Sequence, residues 1–223
     1  MVKSANRLMH MSRVVVVACL LVPAGAAAQS AERSRTEGLK EADQFIKAGN
    51  STTESVTDAR EEIQKTLTNY NNLVTQPSKD MKGDYKKLMK SMDSMNKSVT
   101  EASTKLAAMK AAGDTYFQGR GGTLKGIQDA ALRSQAQERL DQSQKDFGGV
   151  LASLGDARGA LEPFRKQLAD QITFLGSDLN PSATASLKPQ ATKLNTDGAT
   201  VFTKVDQATA KSSAYFTGLK SQP

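Results

Sequence analysis

The sequence predicts an all-α fold, an elongated antiparallel helical bundle or coiled coil of about four long helices. Apolar residues recur at alternating steps of three and four through several long segments, which is the spacing of a heptad seam. No segment shows the apolar–polar alternation of a strand, and no hairpin turn signal competes. Short loops join the segments, so neighbouring helices should run antiparallel. The bundle domain is assigned to residues 45–218 and a short tail to residues 219–223.

The first long helix is predicted to end at a proline. Pro77 cannot continue a helix interior and restricts the residue before it. Upstream, residues 29–44 are polar and charged and lack a seam, which predicts a flexible arm. The apolar residues between Phe45 and Ala48 indicate a short helix that ends at Gly49. The seam of the first long helix consists of Val56, Ala59, Ile63, Leu67, Tyr70 and Val74.

The second predicted helix, from Lys79 to Tyr116, is rich in methionine and has the most regular seam. A helix of about 40 residues is roughly 60 Å long and needs partners of similar length. The glycine-rich stretch from Gly119 to Gly122 should end this helix in a turn. It does not resemble a phosphate-binding loop, because no Lys-Ser/Thr pair follows it. The seam consists of Met81, Tyr85, Leu88, Met92, Met95, Val99, Ala102, Leu106, Met109, Gly113 and Tyr116.

Prolines divide the second half of the chain. The third predicted helix starts near Thr123, and Pro163 should kink or split it. Asn180-Pro181 fits the N-cap and first position of the last helix, which Pro189 should bend near its start. The seam residues are Ile127, Ala131, Leu140, Phe147, Leu151, Leu154, Leu161, Leu168, Ile172 and Leu175, then Leu187, Ala191, Leu194, Gly198, Val201, Val205, Ala208, Ser212 and Tyr215.

These seams are thin, because many core positions hold Ala, Gly, Ser or Thr. Small residues let helices approach closely but bury little apolar area per turn. Glycine within a helix also costs about 1 kcal/mol relative to alanine. The sequence therefore predicts modest stability, and self-association that completes the burial. The glycines in the third predicted helix are Gly148, Gly149, Gly155 and Gly159.

Residues 1–28 have the pattern of a signal peptide. Basic residues precede a short apolar run, and the alanines ending at Ala28 fit a cleavage site after that residue. The apolar run is about half of the ~20 residues needed to span a bilayer. Val16–Cys19 resembles a lipoprotein signal, but too few residues separate Arg13 from Cys19 for the hydrophobic region that such a signal needs. We therefore expect a periplasmic protein without a lipid on Cys19.

Cleavage would leave a chain without Cys, His or Trp, because Cys19 and His10 both lie in the predicted signal peptide. No histidine base, thiolate nucleophile or common zinc or haem ligand would then remain. Only a Ser–Lys variant of serine catalysis survives, and no motif marks one. We expect no enzyme, no catalytic or cofactor-binding residue and no cofactor. The net charge would fall from +7 to +4, which does not indicate nucleic-acid binding.

Met89, Met92 and Met95 form a Met-x-x-Met-x-x-Met pattern that allows two interpretations. Clusters of thioethers in exported proteins can bind Cu(I), a soft ion. Met92 and Met95 are also seam positions, where methionine fills an irregular core. Because the seam explains two of the three and no His or Cys assists, we favour a core role and predict no metal site.

The same helix concentrates positive charge, with eight lysines against five acids. Such a face can meet anionic lipid or glycan surfaces. The alternative is a solvated face with i,i+4 ion pairs such as Asp93–Lys97 and Glu101–Lys105. The alternative is favoured, because no arginine and, apart from Tyr85, no aromatic residue interleaves with the lysines. The lysines are Lys79, Lys82, Lys86, Lys87, Lys90, Lys97, Lys105 and Lys110.

Several motifs resemble one bacterial family. They are Leu161-Glu162-Pro163-Phe164, Asp170-Gln171-Ile172-Thr173-Phe174-Leu175, Asp178-Leu179-Asn180-Pro181, Ala185-Ser186-Leu187, Ala131-Leu132-Arg133-Ser134 and Gln137-Glu138-Arg139. They resemble DUF2959, a family of exported, helix-rich proteins of unknown function, from about Ile63 to Phe216. Tyr116-Phe117 stand where members often carry Trp. The resemblance implies the fold and export, and it implies no activity.

The features of the chain together predict a non-enzymatic, exported protein that acts as a structural or binding module of the bacterial envelope. The alternative is a periplasmic holdase-type chaperone, since small, basic coiled-coil chaperones have a similar size, charge and low aromatic content. The expected partner is a protein or another envelope component, with weak contact to an anionic lipid or glycan surface and no nucleic acid.

Overall fold

The computed structural model describes residues 24–221, with side chains from residue 36 onward, and within these residues it contains helices and no strand. The elements are α1 (Ala24–Thr75), α2 (Met81–Leu124), α3 (Ala130–Ser177), the short α4 (Pro181–Ser186) and α5 (Lys188–Lys220). The all-α prediction is confirmed, with four long helices and one short helix. The 52 residues of α1 give a rod of about 78 Å.

The four long helices form an antiparallel bundle in which each packs on two neighbours. Helix α1 packs on α2 and α5, and α3 packs on α5 and α2. The short α4 packs against α1 and α5. The α2–α3 seam is the most loosely packed of the four seams. The chain therefore closes its bundle by bringing the first and last long helices together.

Side-chain burial confirms most of the predicted seam positions, but the predicted position Ala131, in the first turn of α3, is exposed. Leu88, Met95 and Met109 of α2 are fully buried, whereas Met92 and Val99 are half-buried at the border of the core. The other buried residues that were predicted as seam positions are Ala59, Ile63, Leu67, Tyr70, Val74, Ala102, Gly113, Tyr116, Leu140, Phe147, Leu154, Leu161, Leu168, Ile172, Leu175, Leu187, Ala191, Leu194, Gly198, Val201, Val205, Ala208 and Ser212.

Two buried threonines tie α1 to α2. The Thr52 hydroxyl lies 2.8 Å from the Ala48 carbonyl oxygen in its own helix and 3.0 Å from the Lys105 carbonyl oxygen in α2. The Thr66 hydroxyl likewise lies 3.0 Å from the Ser91 carbonyl oxygen. A side chain this short reaches a neighbouring backbone only when the helix axes are close. The small residues of this seam thus permit the close packing that the sequence predicted.

Six aromatic rings from four helices meet at one end of the bundle, and we call them the aromatic cluster. Phe45 of α1 is fully buried at its centre, with five other ring centroids between 4.8 and 6.1 Å from its own. Edge-to-face pairs at such distances add to the free energy gained from burial alone. The members are Phe45, Tyr116, Phe117, Phe147, Tyr215 and Phe216.

Side-chain caps start three of the helices. The Asp80 carboxylate accepts from the Gly83 backbone N–H at 2.9 Å, and Asp129 accepts from the Leu132 N–H at 2.9 Å. Asn180 accepts from two N–H groups of α4, with Pro181 in the first turn, so the predicted cap occurs but starts the short α4 rather than the last helix. These caps satisfy N–H groups that have no partner within the helix.

Three predicted helix boundaries are wrong. Helix α1 continues through Gly49, because the Gly49 backbone packs directly against the Phe216 ring. Helix α2 continues through the stretch from Gly119 to Gly122, where Gly119 packs against the Glu41 side chain, and it ends at Leu124. The turn expected at these glycines lies instead at residues 125–129, and α3 begins at Ala130 rather than near Thr123. Close packing therefore explains glycines that sequence alone interprets as helix breaks.

Pro163 and Pro189 occupy different positions in their helices, and of the kink or split expected at Pro163 the split does not occur. Pro163 lies inside α3 without splitting it. Its ring is exposed, so the carbonyl group that loses its intrahelical partner can bond water. Pro189 lies in the first turn of α5, where a missing N–H costs little. In place of the bend predicted near Pro189, the helix is interrupted at Leu187, between the end of α4 and the start of α5.

The ends of the domain also differ from expectation. Residues 29–44, predicted to be an arm, belong to α1, and their Ala, Glu, Lys and Arg residues are good helix formers. Helix α5 runs to Lys220 and Leu219 is buried, so the predicted tail at residues 219–223 starts too early. Residues 1–23 of the predicted signal peptide, including Cys19, lie outside the described residues.

Candidate functional site

A row of lysines lies on the solvent side of α2, opposite its core face, and we call it the lysine stripe. Its members, Lys82, Lys86, Lys90 and Lys97, are all exposed. Their spacing of four, four and seven residues places them on one face of the helix, over about 22 Å. Leu88 lies on the opposite side and is fully buried. The stripe is therefore a straight, outward-facing array of ammonium groups.

None of the four stripe lysines is ion-paired to a described carboxylate. The nearby Lys87 differs, because its Nζ lies 3.0 Å from Asp84 Oδ1. The predicted Asp93–Lys97 pair does not occur among the described side chains, nor does Glu101–Lys105. The four ammonium groups are thus unpaired, which sequence spacing did not indicate, although the exposed Asp93 lies on the same face between Lys90 and Lys97.

The three methionines of α2 occupy different environments. Met95 is fully buried, Met92 is half-buried against the core, and Met89 is 38% exposed. A shared ion would need the three sulfurs to converge on one point, whereas Met95 packs into the bundle and Met89 contacts solvent. The arrangement supports the core role predicted for Met92 and Met95.

Replacing Met92 and Met95 together with leucine is expected to cost less than about 1.5 kcal/mol per site, because the swap conserves volume. Urea denaturation followed by circular dichroism measures this cost. We also expect no tight Cu(I) binding in a titration against a competing chelator. Stoichiometric Cu(I) binding that is lost when Met89 is also replaced would contradict the core interpretation.

Two spaces lie along the α2–α3 seam, and together we call them the α2–α3 cleft. The space at mid-length is lined mainly by aliphatic side chains, whereas Asp114, Gln118 and Gln144 also line the space nearer the aromatic cluster. A cavity of about 70 Å³ is lined by 13 residues at mid-length of the bundle, and a second cavity of about 360 Å³ lies nearer the aromatic cluster. The first is lined by Val56, Ala59, Arg60, Ile63, Val99, Ala102, Ser103, Leu106, Leu154, Ala157, Arg158, Leu161 and Val205, and the second by Asp114, Phe117, Gln118, Gln144, Phe147, Gly148 and Leu151.

Two of the three arginines near the cleft are neutralised. Arg60 Nε lies 2.6 Å from Asp206 Oδ1, and its guanidinium group lies 5.0 Å from the centre of the Phe202 ring. Arg165 lies 3.5 Å from Glu162 Oε1 and also donates to the Asn96 side chain at 3.0 Å. The contacts of Arg60 with Asp206 and of Arg165 with Asn96 join helices far apart in sequence, so sequence reasoning did not single them out.

Arg158, the third arginine, is exposed at the lining of the first cavity and forms no ion pair or hydrogen bond with a described residue. It therefore places an uncompensated positive charge beside an apolar space. Only the assembled bundle brings this charge next to residues of α1, α2 and α5, so no local sequence signal marks it.

Buried hydroxyls in the bundle are suited to structure rather than to proton transfer. The Tyr70 side chain is fully buried and donates to the Gln171 side chain, and burial raises the pKa of its hydroxyl well above the ordinary value. Burial also raises the pKa of Tyr215 to about 12, and that hydroxyl lies 3.0 Å from the Ser143 hydroxyl. Both tyrosines stay protonated across the physiological range.

Carboxylates do not gather into a recognisable centre in the described part of the chain. Glu62 lies 3.4 Å from Lys65, and Glu61 and Asp170 are exposed. Within residues 24–221, no group of three or more His, Cys, Asp or Glu side chains could hold a metal ion. None of the described helices is both long and apolar enough to cross a membrane.

Comparison with known proteins gives one match. A family model described as "Protein of unknown function (DUF2959)" matches residues 31–219. The resemblance drawn from the motifs in the second half of the chain is confirmed, and the match extends it to nearly the whole chain. No curated protein and no solved structure matches.

Proposed function

We propose, from the premise that the chain belongs to the DUF2959 family, that it is an exported, non-enzymatic binding module of the bacterial envelope. Its binding surface is the lysine stripe of α2, and its partner is the anionic headgroup layer of a phospholipid membrane. The proposal rests on one observation, which is the row of four exposed lysines without a described carboxylate partner.

The geometry of the stripe suits a flat, negatively charged surface. The four ammonium groups lie along one straight helix over about 22 Å, so all of them can reach phosphate groups at the same time. Each lysine near an anionic membrane contributes up to about 1 kcal/mol, and salt reduces this contribution. Neighbouring side chains on this face are mostly polar, which favours contact with headgroups rather than insertion into the acyl layer.

The non-enzymatic part of the proposal rests on residue types. Without residues 1–28, the chain has neither His nor Cys, the commonest general base and the most reactive nucleophile. Its buried tyrosine hydroxyls are held protonated and hydrogen-bonded inside the bundle. These properties favour binding over catalysis.

Changing Lys82, Lys86, Lys90 and Lys97 to glutamine is expected to weaken binding to phosphatidylglycerol vesicles at least about tenfold at physiological salt, since each contact is partly screened. Vesicle co-sedimentation measures the effect. The unmodified protein should also lose affinity steeply as salt is raised. Vesicles of phosphatidylcholine alone should bind neither protein.

The matched control changes four exposed lysines outside the stripe, Lys125, Lys145, Lys166 and Lys211, to glutamine. Because the net charge change is identical, this variant separates a located surface from a general charge effect. Equal losses in the two variants would refute the lysine stripe as the binding surface. Binding to anionic glycan but not to phosphatidylglycerol would refute the membrane as its partner.

Export is expected to end with cleavage after Ala28, leaving Gln29 as the first residue and Cys19 without an acyl group. N-terminal sequencing and intact mass of the protein from a periplasmic fraction measure both features. A mature chain that begins at a lipid-modified Cys19 would contradict this prediction, and so would an intact Met1 in the membrane fraction.

A holdase-type chaperone is the second candidate, and two exposed leucines favour it. Glu41 of α1 contacts Gly119 of α2. Because the two helices are antiparallel and α2 ends five residues after Gly119, its end lies level with about residue 36 of α1. The residues of α1 before this point therefore project beyond α2. Leu39 is 70% exposed near this projection, and Leu132 at the start of α3 is 56% exposed. Suppression of light scattering by an unfolded outer-membrane protein, lost on changing both leucines to serine, would favour this candidate.

A further inference from the structure

We infer that the α2–α3 cleft binds an anionic amphiphile with a single medium-length acyl chain, with the tail in the cleft and the head on Arg158. This inference goes beyond the proposed function, because the cleft and the lysine stripe lie on different faces of α2. The two can therefore succeed or fail separately.

The first cavity exists because alanines from three helices meet at one level of the bundle. Ala59, Ala102 and Ala157 are 6%, 9% and 5% exposed, and each stands in a seam that elsewhere holds larger side chains. No described side chain fills the remaining space of about 70 Å³. An apolar cavity of about 150 Å³ accepts a benzene-sized molecule, so the present cavity accommodates a few carbon atoms of a chain.

A second space lies further along α3, toward the aromatic cluster, and the two spaces share no lining residue. Leu154 lines the first cavity and Leu151 the second, so the two spaces follow each other along α3. From Arg158 to Phe147 the helix rises about 16 Å, which is the length scale of a medium-length acyl chain. Helices α2 and α3 also approach each other less closely than the other neighbouring long helices do, so a tail that joins the two spaces would displace few helix–helix contacts.

The charge at the cleft determines the headgroup. Arg158 is exposed beside the first cavity and has no described acidic partner, whereas Arg60 and Arg165 are held by Asp206 and Glu162. A guanidinium group binds carboxylate or phosphate oxygens through paired hydrogen bonds. The walls of the first cavity are aliphatic apart from Arg60, Ser103 and Arg158 itself. One unpaired cation beside an apolar cavity matches an amphiphile with one anionic head and one tail.

Calorimetric titration of the purified protein with decanoate tests the inference. We expect binding of one decanoate per chain. Arg158→Gln should weaken it about tenfold, the loss expected for one charged contact. The matched control is Arg120→Gln, which removes an exposed arginine of α2 outside the cleft and should leave binding unchanged. Decyltrimethylammonium has a similar tail and a cationic head, so it should bind far more weakly.

Filling the cavity provides an independent test. Ala102→Leu and Ala157→Leu each place a larger side chain in the space that the tail would occupy, and each should reduce decanoate binding while circular dichroism confirms retained helicity. Decanoyl-lysophosphatidylglycerol, titrated in parallel, distinguishes a phospholipid source from a free fatty acid. The inference is overturned if neither anionic amphiphile binds, if the cationic amphiphile binds equally well, or if Arg158→Gln has no effect.

Discussion

Replacing Phe45 with alanine is expected to lower the free energy of unfolding by about 4 kcal/mol, within the range for buried phenylalanines. The ring is fully buried and lies within 6.1 Å, centre to centre, of five other rings. Its removal takes away apolar burial and leaves a cavity at the point where all four long helices meet. Urea denaturation followed by far-UV circular dichroism measures the loss.

The control for Phe45 is Phe174→Ala, which removes the same side chain from a position on α3 that is 42% exposed. That change should cost about 1 kcal/mol or less, because little burial is lost and no enclosed cavity forms. Comparable losses for Phe45 and Phe174 would show that the aromatic cluster does not anchor the bundle.

Replacing Gly49 with alanine is expected to destabilise the protein by about 2 kcal/mol, although alanine is the better helix former. The added methyl group would overlap the Phe216 ring. That ring is 1% exposed and packed against Phe45 and Tyr215, so it cannot move aside without disturbing the aromatic cluster. Denaturant unfolding measures the sign and size of the change.

Gly155→Ala is the matched change on α3, and it should stabilise the protein by up to about 1 kcal/mol. A methyl group there meets no atom within 4 Å, so only the helical preference for alanine acts. A loss of stability at Gly155 would contradict the open space around this glycine. A gain at Gly49 would contradict the close packing of α1 on α5.

Periodicity predicted the parts of the fold that depend on burial along single helices. The seam of α2 from Leu88 to Met109 is an example, because a heptad spacing defines one face whatever its partner is. Periodicity failed at Gly49 and Gly119, where glycine usually ends a helix. In this fold their missing side chains admit Phe216 and Glu41 from other parts of the chain. Tertiary packing therefore outweighed local preference.

The candidate sites were predictable to different degrees. The positive charge of α2 follows from composition. The absence of ion pairs at the lysine stripe does not, because i,i+4 spacing predicted that Asp93 would pair with Lys97. The α2–α3 cleft was not predictable at all. It depends on which alanines meet across three helices and on Arg158 lacking an acid that Arg60 and Arg165 both have.

The meeting of α1 and α5 has a consequence for the order of events in time. Phe45 belongs to the first helix to be made and Phe216 to the last, yet their ring centres lie 5.1 Å apart. A growing chain can pair α1 with α2 early, since these helices are adjacent in sequence. The side of α1 that packs on α5 stays exposed until nearly the whole polypeptide has been synthesised, because such non-local contacts form late. Chains that end before α5 would expose this apolar face of α1 and would be prone to aggregation or degradation. Only a chain that includes the last helix can cover it.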